Sequence, residues 1–113
     1  MPTLSIHTNA VTEDKEQALL QLSRLIAEML NKPERYVMIL LHDGLDMVFS
    51  GSSNIAAYMR LESLGLDEDK TKHYSEQLCN AMEKLFAIPA DRIYIEFAAP
   101  PRHMFGWNRT TFA

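Results

Sequence analysis

A single cysteine, Cys79, stands among 113 residues, which excludes an intramolecular disulfide framework and fits a reducing compartment. Lysine and arginine form no cluster and the formal charge is −4, so neither nucleic acid nor an anionic membrane is an expected partner. No apolar stretch approaches the length of a membrane span. The start, Met1-Pro2-Thr3-Leu4-Ser5-Ile6-His7, has neither the basic patch nor the apolar run of a secretion signal. A cytoplasmic protein is therefore expected, and the sequon Asn108-Arg109-Thr110 reads as accidental. His7, His42, His73 and His103 lack metal-ligand spacing, and with one cysteine no metal site is expected. Gly44, Gly51 and Gly65 read as turn glycines, and no phosphate-binding glycine loop occurs.

What is present suits one globular domain over residues 1–113, with 47% hydrophobic and 23% charged residues. Polar and apolar residues alternate from Thr3 to His7, the pattern of a half-covered strand. Thr12 is the expected cap of a helix opened by Glu13, Asp14 and Glu16, with Leu19, Leu22, Ile26, Met29 and Leu30 as its apolar stripe. Asn31-Lys32-Pro33 ends it, and Val37 to Leu41 reads as a strand. The order then repeats: a strand over Ile55–Leu61, then a helix opened by Asp67, Glu68 and Asp69. That helix has the stripe Tyr74, Leu78, Ala81/Met82 and Leu85 and stops at Pro89; a strand over Ile93–Phe97 follows. The joints echo too, Pro33-Glu34-Arg35-Tyr36-Val37 against Pro89-Ala90-Asp91-Arg92-Ile93. The fold class is α/β (α+β): two β-α-β pseudo-repeats, about 2–50 and 51–113, forming a four-stranded sheet with both helices on one face.

Two helices cover only one side of such a sheet, yet Val37-Met38-Ile39-Leu40-Leu41 is apolar at every position. Continuous apolar strands belong where both faces are buried, so self-association is the expected cover. Met104-Phe105-Gly106-Trp107 is apolar and short, and reads as an intersubunit arm.

Pro2 is the residue with the most distinctive chemistry. Once Met1 is trimmed, it presents a secondary amine on a rigid ring at the start of a strand. Burial or a neighbouring cation lowers the pKa of such an amine, making it a base for a carbon-bound proton beside a carbonyl. Proline at this position is also common without function. Its context gives it weight: a β-α-β-β-α-β chain of this size beginning Met-Pro resembles the tautomerase superfamily. The finer resemblance is to the macrophage migration inhibitory factor and D-dopachrome tautomerase family. It rests on Met1-Pro2, Thr8-Asn9, Asn31-Lys32-Pro33, Phe49-Ser50-Gly51-Ser52-Ser53, Leu64-Gly65, Asp91-Arg92-Ile93-Tyr94-Ile95 and the ending Gly106 to Ala113.

The resemblance implies a homotrimer whose sheets form a central barrel, with three active sites at subunit interfaces. It implies a cofactor-free keto–enol tautomerase acting on small keto or enol acids such as phenylpyruvate or dopachrome. By position, Pro2 is the base, Lys32 meets the substrate carboxylate and Leu64 is an aliphatic wall. Tyr94, Phe105 and Trp107 are expected from the neighbouring subunit, as an aromatic pocket. Without the resemblance, Lys32 reads as a solvated helix-end lysine and the three aromatics as ordinary packing. A cytokine-like interaction role is the alternative that the same resemblance implies.

Two positions depart from the family pattern. Glu96 stands where relatives commonly carry a neutral Asn, and its carboxylate would favour protonated Pro2 and repel an acidic substrate. Arg102, His103 and Arg109 are the candidates to neutralise it. Ala56 and Met59 take the places of a Cys-x-x-Cys pair, so thiol–disulfide exchange is not expected. Cys79, near the second helix's apolar stripe, reads as an inert buried thiol.

Overall fold

A computed structural model describes all residues, 1–113. Strand β1 (Thr3–Thr8) leads into helix α1 (Lys15–Leu30) and strand β2 (Met38–His42). Strand β3 (Ala57–Glu62), helix α2 (Thr71–Phe86) and strand β4 (Ile93–Ala98) repeat the order. The sheet order is β2-β1-β3-β4, parallel within each unit and antiparallel where β1 meets β3. The four-stranded mixed sheet and two helices match the expected class.

The core follows from alternation. Leu4, Ile6 and Thr8 of β1 and Ala57, Met59 and Leu61 of β3 point inward, where they meet Leu22 and Ile26 of α1 and Leu78 and Met82 of α2. Each fully buried Leu or Ile contributes about 1.5–3 kcal/mol relative to exposure. The helix stripes shift slightly from expectation: α1 buries Ala18 rather than Leu19, and α2 ends its buried row at Phe86 rather than Leu85.

The helix starts differ more. Asp14, not Thr12, caps α1: its carboxylate accepts from the Gln17 N–H at 3.3 Å, three residues ahead, where the cap geometry requires it. Asp67-Glu68-Asp69 opens a 3-10 turn (Glu68–Lys70), and α2 proper begins at Thr71. Gly44, Gly51 and Gly65 all have positive φ, as turn glycines should.

Two of the sequence motifs prove to be joints. The Thr8 hydroxyl donates to the Ala56 carbonyl at 2.6 Å and accepts from the Ala10 N–H at 3.0 Å, both buried. Arg92 spreads its guanidinium over the carbonyls of Phe49, Ser52, Asn54 and Ile55, which pins the loop before β3.

The other face of the sheet stays open within one chain. Met38 is 57% and Leu40 40% exposed, so the second side of the apolar strand β2 has no cover of its own. In the C-terminal segment β5 (Gly106–Trp107) and β6 (Thr110–Thr111) form a hairpin around Asn108 and Arg109, both at positive φ as a type I′ turn requires.

Candidate active site

Pro2 continues the inward alternation of β1 by one step and is fully buried. Its carbonyl accepts from the Met38 N–H at 3.0 Å, which anchors it to β2. Thr3 pairs with Glu62, and extending that antiparallel register sets Pro2 beside Ser63, with Leu64 next along the chain. Ser63 and Leu64 are both buried.

Lys32 reaches this corner through the end of α1. Asn31 takes a left-handed conformation (φ 53°), and the Lys32 N–H turns back to the Ala27 carbonyl at 2.9 Å, closing a Schellman-type cap. The second repeat makes the same turn at Ala87 and Ile88. There Ile88 is fully buried, whereas Lys32 is exposed. One repeat thus spends this position on the core and the other offers a cation. Lys32 pairs with no carboxylate and, with Ser63, Leu66 and Tyr74 among others, lines a cavity of about 180 Å³.

The N-terminal amine feels this setting. Its pKa is held below the ordinary 8.0, first by burial, then by the positive charges of Lys32 and Arg102. Here the amine belongs to Met1, which is half-buried; Pro2 lies deeper.

The C-terminal hairpin stands at the same end of the molecule. Trp107 meets Tyr36 edge-on at 5.8 Å and stacks on Phe112 at 5.9 Å, while Phe105 packs against Phe112 at 6.1 Å. Tyr36 also meets Phe112 at 6.5 Å. Within one chain, Phe105 and Trp107 thus pack with Tyr36 and Phe112 at this end of the molecule. Tyr36, Ser63, Arg102 and Phe112 are absent from the sequence-based set. Tyr36 was within reach of sequence reasoning, since the Pro33 turn carries it back beside β1; Arg102 lies in an irregular turn with no periodicity to flag it.

Tyr94 and Glu96 lie elsewhere. Their side chains project from the open sheet face, and Tyr94 is level with Tyr58 and His7, five residues along from Pro2 or roughly 17 Å at strand rise. Tyr94 packs on Phe49 at 4.7 Å, is 67% exposed, and borders an open cavity of about 440 Å³ lined mainly by Met47, Val48, Phe49 and Tyr58. One chain does not bring Tyr94 to Pro2.

Glu96 finds its counter-charge in Arg60, at 3.4 Å, and accepts from the Tyr58 hydroxyl at 3.1 Å. Neither Arg102, His103 nor Arg109 pairs with it, because cross-strand register sets Arg60 directly opposite. Arg60 is shared with Glu62 at 3.1 Å. Partial burial, and then the bond to Glu96, push the Tyr58 phenol upward and keep it protonated.

Ala56 and Met59 are both fully buried without a thiol. Cys79 is half-buried, not fully buried as expected, and burial pushes its thiol up, away from the reactive thiolate.

The family model described as macrophage migration inhibitory factor (MIF) matches residues 1–113. Macrophage migration inhibitory factor of Xenopus tropicalis is 35% identical over 115 residues, covering the whole of both chains. A Trichinella spiralis homologue is 32% identical over 99% of this chain and all of its own. Among solved structures, the homologue from Prochlorococcus marinus superposes with a TM-score of 0.91 at 41% identity, covering 98% of this chain and 99% of that one. The Trichinella spiralis structure gives 0.92 at 30% identity over 97% and 99%. Matched by the family model over residues 1–113 and by these relatives over nearly their whole length, the chain belongs to the macrophage migration inhibitory factor family.

Proposed function

We propose that the protein is a cofactor-free keto–enol tautomerase of small keto acids, working as a homotrimer, with the Pro2 amine as base after removal of Met1. The observation that carries this reading is the full burial of Pro2 at the head of β1, at a corner where burial, Lys32 and Arg102 all lower the pKa of the terminal amine, which here is that of Met1. An amine whose charged form is disfavoured in this way is matched to proton transfer at carbon.

In this mechanism Lys32 holds the substrate carboxylate beside Pro2, and Leu64 and Trp107 line an apolar slot for the remainder. The Pro2 nitrogen takes the proton from the carbon next to the keto group, and the C–H electron pair becomes the new C=C bond. The carbonyl oxygen is protonated by solvent, giving the enol; the reverse steps return the ketone. Tyr94 joins this site only from a second subunit, which the uncovered Met38 and Leu40 face of β2 supports. Glu96 would arrive on the same strand.

The test is enol–keto interconversion of phenylpyruvate, followed by ultraviolet absorbance, on protein whose intact mass shows Met1 removed. Pro2→Gly should lower kcat/KM by about a hundredfold or more, the usual worth of a positioned base. Trimmed wild-type protein with no enolisation above background refutes the reading and leaves a binding role in its place.

A further inference from the structure

Tyr94 stands on the edge strand β4 and is 67% exposed, yet its ring is not free. The Phe49 ring packs on it, with centroids 4.7 Å apart and planes at 45°. Phe49 belongs to the long connection between β2 and β3, which has no helix or strand of its own to fix a side chain.

Two local devices fix it instead. A two-residue turn at Ser50 (φ 53°) and Gly51 (φ 73°) closes on paired backbone bonds: the Phe49 N–H donates to the Ser52 carbonyl at 2.9 Å, and the Ser52 N–H returns at 3.0 Å. The second device is Arg92, two residues before Tyr94 in the chain. Its Nε donates to the Ile55 carbonyl at 2.9 Å. One terminal nitrogen reaches the carbonyls of Phe49, Ser52 and Asn54 at 3.2, 3.3 and 3.0 Å. The guanidinium carbon also stands 5.2 Å from the centre of the Phe49 ring, so one cation holds this residue by its backbone and by its face.

Anchoring the loop needs only the carbonyl bonds, which form whatever side chain stands at position 49. The ring adds a rest for Tyr94, and the two rings together wall the open cavity of about 440 Å³ beside Tyr58. An exposed aromatic without such a rest must be ordered when a ligand arrives, and that ordering weakens binding.

We propose that Phe49, gripped by Arg92, is a positioning residue that holds the Tyr94 ring ready to pack on the aromatic end of a substrate. This rests on the tautomerase reading, in which Tyr94 completes the site of a neighbouring subunit. Neither Phe49 nor Arg92 touches the substrate; both favour aromatic over aliphatic keto acids through Tyr94.

The experiment follows deuterium exchange at the carbon beside the keto group, by NMR, for phenylpyruvate and 4-methyl-2-oxopentanoate. The ratio of kcat/KM for the aromatic acid to that for the aliphatic one should fall about fivefold in Phe49→Leu, the worth of one aromatic pair, with the loss mainly in KM. Phe49→Tyr keeps the ring and should restore the ratio. Arg92→Lys keeps the charge but cannot span four carbonyls, and should lower the ratio in the same direction. In a Tyr94→Ala background Phe49→Leu should lower it no further. A level ratio in Phe49→Leu, or an equal fall with and without Tyr94, overturns the proposal, because a merely structural role predicts one or the other. Calorimetric binding of 3-phenylpropionate against hexanoate gives a readout free of catalysis. Phe49→Leu should shrink the aromatic acid's advantage only while Tyr94 is present, and equal wild-type affinities for the two acids would refute the positioning role. Absence of all exchange with that Tyr94-dependent preference intact would sink the tautomerase reading alone.

Discussion

The Tyr36 ring meets the Trp107 indole edge-on, with centroids 5.8 Å apart and planes at 82°. Through this contact the C-terminal hairpin is held by a residue four positions past Lys32. An edge-to-face pair contributes about 0.5–1.5 kcal/mol beyond the area it buries. Tyr36→Leu should therefore lower stability by about 1 kcal/mol in urea unfolding. It should also raise KM for phenylpyruvate, because Trp107, which lines the slot, loses the ring it rests against. Tyr36→Phe keeps the ring and should restore both. A variant that loses stability with KM unchanged would place the hairpin outside the binding slot.

The pH dependence follows from the sign of the amine shift. Burial, Lys32 and Arg102 each disfavour the charged form of the Met1 amine, and a Pro2 amine freed at the same corner meets the same causes. The neutral Pro2 amine is the base, so kcat/KM should rise with pH, through a midpoint lowered from that of a free proline amine. Lys32→Ala and Arg102→Ala should each move the midpoint upward. The same sign applies to folding: the amine's contribution is present above its unfolded pKa and is lost as pH falls through the folded one. A midpoint that ignores both substitutions would mean that neither cation acts on the base.

Much of this arrangement was legible beforehand, and the failures have specific causes. Period-two and period-three-to-four patterns located β1 and both helices because burial by the opposite layer is what creates such patterns. The cap of α1 is ambiguous in the sequence because Thr12 and Asp14 are both good caps, and only backbone geometry chooses between them. Strand β2 begins at Met38, one residue later than the apolar run suggests, because Val37 ends the preceding 3-10 turn. The hairpin leaves little trace in the sequence because its turn uses Asn108 and Arg109 at positive φ without a glycine. Pairing of Glu96 with Arg60 depends on the register between β3 and β4, a long-range property that local patterns do not carry.

Thr8 offers a test of the fold apart from chemistry. Its hydroxyl joins Ala56 and Ala10 while fully buried. Thr8→Val keeps the shape and leaves both backbone groups unpaired, at a cost of about 1–3 kcal/mol. Thermal unfolding should show a clear fall in Tm, whereas Thr3→Val on the open face should change it little.

Glu96 is balanced only in part, since Arg60 serves both Glu62 and Glu96 and the three carry a net negative charge. In a trimer that charge would face a neighbour's base. Glu96→Asn removes it and should raise kcat/KM for phenylpyruvate roughly fivefold, the equivalent of about 1 kcal/mol of screened charge. The pH midpoint should move down at the same time, because a carboxylate favours the protonated amine. No change in rate or midpoint would mean that Glu96 does not face an active site.

The open face of β2 sets the last test. Met38 and Leu40 project from it at 57% and 40% exposure, on an edge strand that nothing in the chain covers. Apolar area left in water favours association by roughly 25 cal/mol for each Å² that a partner removes. Light scattering should therefore give a mass three times that of the chain. Replacing both residues by lysine places two charges per chain in the contact, where burial without partners costs several kcal/mol. The variant should run as a single chain with its helical circular dichroism retained. Tautomerase activity should fall with it, because Tyr94 lies roughly 17 Å along the sheet from its own Pro2 and can complete a site only in another subunit. Full activity in a proven monomer would show that Tyr94 has no part in the reaction.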